Sequence, residues 1–143
     1  MPAIQFFEED IVFKLKNKAK IREWVTNTVT SEGYKLKELN YIFCSDAYLL
    51  EINRQYLNHD TYTDIVTFDN SGVKGTIIGD IFISIERIRE NAIKYKVAET
   101  DELHRVIIHG ALHLVGYKDK TPADNKKMTQ KEDFYLNLRS FNA

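Results

Sequence analysis

The sequence has one cysteine, Cys44, so no internal disulfide can form, and the count fits a reducing compartment. Two prolines and six glycines among 143 residues exclude a collagen-like or low-complexity chain. No apolar run approaches the roughly 20 residues that a membrane-spanning helix needs. The opening MPAIQFFEED has acids soon after its apolar start and no basic leader, so it does not read as a signal peptide. Nor is one sign of charge in excess: 20 Lys and Arg face 21 Asp and Glu, a formal net charge of −1. That balance excludes a generic basic coat for nucleic acid. What remains is an ordinary globular composition, 43% hydrophobic and 29% charged. Residues 1–143 are expected to form one domain with its own core.

Charge is unevenly spread. KLKNKAKIR, Lys14 to Arg22, has five positive residues and no acid, and Gly116 to Lys131 has five lysines against Asp119 and Asp124. Solvated surface explains such runs as readily as a partner does.

Periodicity gives an interspersed α+β order: a mixed sheet of about four strands packed with about five helices. Strands are predicted at AIQFF, Leu39 to Cys44, Asp64 to Phe68 and Thr76 to Ser84, with a turn at Asp69 to Gly72. Helices are predicted over Lys18 to Glu32, after a Ser45 cap, after a Ser84 cap, from Thr100 to Gly116, and from Pro122 to about Leu138. Thr121 and Pro122 read as N-cap and N1, with Asp124 completing a capping box.

The chemistry concentrates in HGALHLVGYKD, His109 to Asp119. Four helical steps advance about 400° and 6 Å, so His109 and His113 leave one face a turn apart. Gly116 can take positive φ and turn the chain back, which brings Asp119 to the same point. Two histidines and a carboxylate leave a fourth position open for water, as in catalytic zinc sites. The alternative is a hydrogen-bonded histidine pair with Gly116 as a plain helix stop. Gly110 occupies the place of the glutamate in HExxH peptidases. Its lack of a side chain is expected to leave room beside the metal for a bulky anionic substrate. His104, about 140° round the helix from His109, is expected at the surface. His59 falls in a polar turn. Met128 is expected to pack with Tyr135, and Tyr34, Tyr41 and Tyr48 to lie in the core.

HGALHLVGY resembles the HGxLHLxGY signature of the YbeY family of ribosomal RNA maturation metalloproteins. INRQYLNHDTYTDIVTF (Ile52 to Phe68) is similar to that family's LNxxYRxxDxPTDVLSF segment, and IGDIFIS (Ile78 to Ser84) to LGDIxIS. The likeness runs over residues 36–138. It implies a zincin-like fold with a metal site at the end of a long helix in the C-terminal half. It also implies a zinc-dependent, single-strand-specific endoribonuclease, with one zinc per chain, acting in 3′-end maturation of small-subunit ribosomal RNA and in ribosome quality control. Ribosomal RNA and the small ribosomal subunit are the implied partners, with no membrane, and the implied location is cytoplasmic. The implied ligands fall on His109, His113 and Asp119, where Asp119 replaces a histidine of the family's GYDH. The family's arginine after tyrosine is Leu57 here, which leaves Arg54 and Lys118 as candidate cations for the scissile phosphate. Tyr62 stands in place of a proline. Asp80 is the candidate carboxylate behind a ligand histidine. Tyr117 is the candidate for base stacking, with Lys118 beside it. Thr63 and Asp64 read as a cap into a strand. Two other functions compete: a hydrolase of another class on the same scaffold, and a non-enzymatic ribosome assembly factor stapled by a metal.

Overall fold

The computed structural model describes residues 3–57, 63–139 and 141. His59 and Tyr62 lie outside them. The elements run β1 (Ile4–Glu9), α1 (Lys18–Ser31), β2 (Lys35–Cys44), α2 (Asp46–Tyr56), β3 (Ile65–Asp69), β4 (Thr76–Ser84), α3 (Ile85–Tyr95), α4 (Glu99–Leu114) and α5 (Pro122–Leu136). This is the expected α+β order. The sheet order is β1-β2-β4-β3, with β3 the antiparallel edge strand and the other pairs parallel.

The predicted caps form. Ser45 Oγ accepts from the Tyr48 N–H, Ser84 Oγ from that of Arg87, and Thr121 Oγ1 from that of Asp124. β2 begins four residues before the predicted Leu39, because Lys35 pairs with Thr76 in the ladder to β4. Its start, KLKE, is too charged to read as a strand alone.

Strand alternation divides the sheet into two faces. On one, Leu39, Tyr41 and Phe43 of β2 join Ile77, Ile81 and Ile83 of β4 in the main core with α1, α3, α4 and α5. On the other, Val66, Phe68 and Phe82 meet Leu49 and Ile52 of α2 in a smaller cluster. Met128 and Tyr135 pack in the main core, as their spacing predicts. Tyr41 is fully buried, and its hydroxyl donates to the Ile107 carbonyl of α4 at 2.9 Å.

Two expectations about α4 fail for one reason: the helix is covered on more than one side. His104 is 2% exposed, not at the surface. Its ring packs against Trp24 of α1 and Phe141, and its Nδ1 accepts from Arg139 Nη1 at 2.8 Å. Gly110 does not open space for a substrate. A Cβ there would lie 2.9 Å from Ile81 Cδ1, 3.0 Å from Ile81 Cγ2 and 3.1 Å from Ile65 Cδ1, inside the ordinary 3.5–4.0 Å carbon contact. One residue past His109 is about 100° round the helix, and that direction faces the sheet. Glycine lets α4 sit close on β3 and β4.

Candidate metal centre

The centre begins with how α4 ends. Gly116, at φ 104°, closes the helix. Its N–H donates to the His113 carbonyl and that of Tyr117 to Leu112, both at 3.0 Å. This is the Schellman arrangement, and the glycine is required by its left-handed backbone. The chain then doubles back, and Asp119 returns to the histidines. Asp119 Oδ2 lies 3.3 Å from His109 Nε2 and 3.2 Å from His113 Nε2. Among the described residues, these three are the group whose ligand atoms all fall within 4.8 Å of one another.

The spacing suits a metal. Bonds of about 2.0–2.1 Å in a tetrahedron place ligand atoms roughly 3.3–3.4 Å apart. Orientation suits it too, because each histidine is held by its other nitrogen. His109 Nδ1 is 2.6 Å from Glu132 Oε2 of α5, and His113 Nδ1 is 2.9 Å from the Tyr117 carbonyl. A carbonyl only accepts, so the Nδ1 of His113 is a donor and Nε2 is the nitrogen that a metal would take. Glu132 sets the same tautomer at His109. It is itself fixed, with Arg105 Nη1 at 2.8 Å from its other oxygen, and its side chain is 8% exposed. Burial pulls the His109 pKa down, but the hydrogen bond and charge of Glu132, helped by Asp119 and Asp64, carry it above the usual value. That pull on a proton is equally a pull on a cation.

Glu132 could not be read from the sequence as the partner of His109: the one local signal is a charge on the inward side of α5 with Met128 and Tyr135, and it names no partner. Asp80, named for that role, does not fill it. Its neighbours Gly79 and Ile81 point toward α4, so alternation turns Asp80 to the opposite face of β4. There its two oxygens accept from Asn40 Nδ2 at 3.0 Å and Asn70 Nδ2 at 3.1 Å.

The three residues open onto a cleft of about 980 Å³. Its walls include Asn53 of α2 and Leu57, which caps that helix, Asp64 before β3, Asn91 and Tyr95 of α3, and Glu102 and Arg105 of α4. Leu57 is therefore a cleft residue. The cations on the described walls are Arg105 and Lys120. Arg54 makes an exposed pair with Glu51 at 3.3 Å, and Lys118 is exposed; neither lines the cleft. Tyr117 is outside it as well. Lys127 and Lys131 sit 5.7 Å from its ring centre, and its hydroxyl donates to Glu32. Burial raises the carboxyl pKa of Asp64, and burial followed by the charge of Asp64 raises that of Glu102.

Fold and site together define a class: an α+β protein with an open group of two histidines and one carboxylate at a helix end, placed as a metal would need them. The family model described as Endoribonuclease YbeY matches residues 3–139. The chain belongs to that family. It is 56% identical over 138 residues to endoribonuclease YbeY of Cytophaga hutchinsonii, covering 96% of each chain. It is 52% identical over 132 residues to the Flavobacterium psychrophilum protein of the same name, covering 92% of this chain and 94% of that one. The solution structure of TM1509 from Thermotoga maritima superposes with a TM-score of 0.63 at 28% identity, over 94% of this chain and 87% of that one. No helix among the described residues is long and apolar enough to cross a membrane.

Proposed function

We propose that this chain is a zinc-dependent, single-strand-specific endoribonuclease of the bacterial cytoplasm. It folds as one domain over residues 1–143 and carries one zinc per chain. Its substrate is ribosomal RNA, in 3′-end maturation of the small-subunit RNA and in ribosome quality control, and it works with the small ribosomal subunit. The observation that carries this reading is the meeting of His109, His113 and Asp119 at 3.2–3.3 Å in an open cleft. Zinc held there would supply the Lewis acidity that activates water near neutral pH and polarises a phosphoryl oxygen.

The chain's own residues do the rest. Glu132 and the Tyr117 carbonyl hold the two imidazoles with Nε2 free. Asp119 contributes one negative charge, where the family's histidine contributes none. Lys120 is the exposed cation on the cleft wall, suited to a phosphate beside the scissile one. Arg105 is partly neutralised by Glu132 and Asp133, so it supports the centre more than it binds RNA. Tyr95, 56% exposed and on the same cleft, has Lys94 Nζ 5.5 Å from its ring centre, a ring and a cation that together suit a nucleotide.

The test is metal analysis of purified protein with a cleavage assay on single-stranded and duplex RNA. About one zinc per chain and cleavage of the single strand alone are expected, with cleavage lost in a folded His113→Ala protein. Zinc binding without cleavage of any RNA would leave an assembly factor; peptide or small-ester cleavage would assign another hydrolase class.

A further inference from the structure

Glu32 is poorly placed for a carboxylate. It caps the C-terminal end of α1, where the helix dipole disfavours negative charge. Its side chain is only 13% exposed. Three donors converge on it. Tyr117 Oη donates to Oε1 at 2.7 Å, Lys131 Nζ to Oε2 at 3.3 Å, and Tyr135 Oη also to Oε2. Burial pushes its carboxyl pKa up, but the hydrogen bonds from Tyr135, Tyr117 and Lys131 outweigh that and hold it below the usual range. The lysine ammoniums over the Tyr117 ring tighten the same cluster.

Tyr117 stands in the chain between His113 and Asp119. Its carbonyl accepts from His113 Nδ1, and its backbone leads, two residues later, to the carboxylate ligand. The side chain anchors that backbone to α1, an element that contributes no ligand. If residue 117 moved, the His113 ring would lose its acceptor and Asp119 would change its reach, both at once. A metal site loses affinity when its ligands must be ordered on binding, and keeps it when they are held beforehand.

We propose that Glu32 is a positioning residue for the metal centre, acting through the Tyr117 hydroxyl to fix both the carbonyl that orients His113 and the span from His113 to Asp119. The inference rests on the metal-site reading above.

Tyr117→Phe removes the hydroxyl and keeps the ring and the carbonyl. Tyr135→Phe is its control, removing another hydroxyl from the same carboxylate, but on α5 and outside the ligand segment. Zinc affinity is read by competition with a chromophoric chelator, coordination by the visible spectrum of the cobalt(II) form, and stability by the melting temperature of the metal-free protein. Tyr117→Phe is expected to weaken zinc roughly tenfold, the low end for residues behind a ligand, and Tyr135→Phe to leave it within about twofold. The cobalt spectrum should shift in the first variant only, whatever either does to the melting temperature. Should Tyr117→Phe not fold, Glu32→Ala takes its place, with the same loss expected. Wild-type zinc affinity and spectrum in Tyr117→Phe, or an equal loss in Tyr135→Phe, would overturn the inference and leave the metal centre standing. A wild-type chain that bound no metal would overturn both.

Discussion

At Asp119 a carboxylate stands where the family's motif has histidine, and the exchange alters charge more than reach. Zinc–oxygen and zinc–nitrogen bonds both lie near 2.0–2.2 Å. Asp119→His should therefore keep the metal, while Asp119→Ala should bind it at least about tenfold more weakly. Chelator competition measures both, and equal affinity in wild type and Asp119→Ala would remove Asp119 from the ligand set. His104 makes a different prediction. Burial, reinforced by Arg139, lowers its pKa from 6.5 to about 4. The unfolded chain takes up a proton near 6.5 that the folded chain refuses until about 4. The stabilisation is thus complete above pH 6.5 and drains away as pH falls toward 4, by about 3 kcal/mol at most. Urea titrations across that window should show a shallower pH slope in His104→Leu than in wild type; parallel slopes would show that His104 is charged in the fold.

The elements show why some residues could be read in advance and others could not. His109, His113, Gly116 and Asp119 are legible because their meeting is local: one helix face and one turn decide it. Glu132 and Asp80 are not, since their roles depend on which helix crosses α4 and which face of β4 looks toward it. Gly110 misleads for the same reason. Its motif position suggests an active-site vacancy, while its helix position is the contact with Ile81 and Ile65. In an open helix, glycine to alanine would gain about 1 kcal/mol. Here the added methyl meets a β-branched residue that is itself fully buried, and overpacking of that kind costs about 1–3 kcal/mol. Gly110→Ala should therefore be destabilised by roughly 1 kcal/mol in denaturant unfolding, and Gly110→Glu far more, since it also buries a charge. A Gly110→Ala protein more stable than wild type would mean that α4 has room to move off the sheet.

Over the whole molecule, net charge says little about RNA, because the charges are sorted by place. The cleft walls hold Asp64, Asp69, Glu102, Asp119 and Glu132 against Arg105 and Lys120, while Lys14, Lys16, Lys18, Lys20, Lys118, Lys126 and Lys127 are exposed outside it. A cleft with that excess of acids is expected to take phosphate only with a cation at its centre. Stripping the metal should therefore weaken single-stranded RNA binding roughly tenfold at fixed salt. Fluorescence anisotropy on chelator-treated and zinc-loaded protein reads this directly, and equal affinities would assign RNA capture to the outer lysines alone. The fold also has an order in time. Trp24 Nε1 of α1 donates to the Tyr135 carbonyl of α5 at 2.8 Å, across 111 positions of chain. Contacts so distant in sequence are the slow ones to form. During synthesis the sheet and the first four helices can assemble while α5 is still to come. Both histidines and Asp119 are then already present, but Glu132, Lys131 and Tyr135 are not. A chain that ends before α5 would thus have the candidate ligands without Glu132 behind His109, and is expected to hold a metal more weakly than the whole protein.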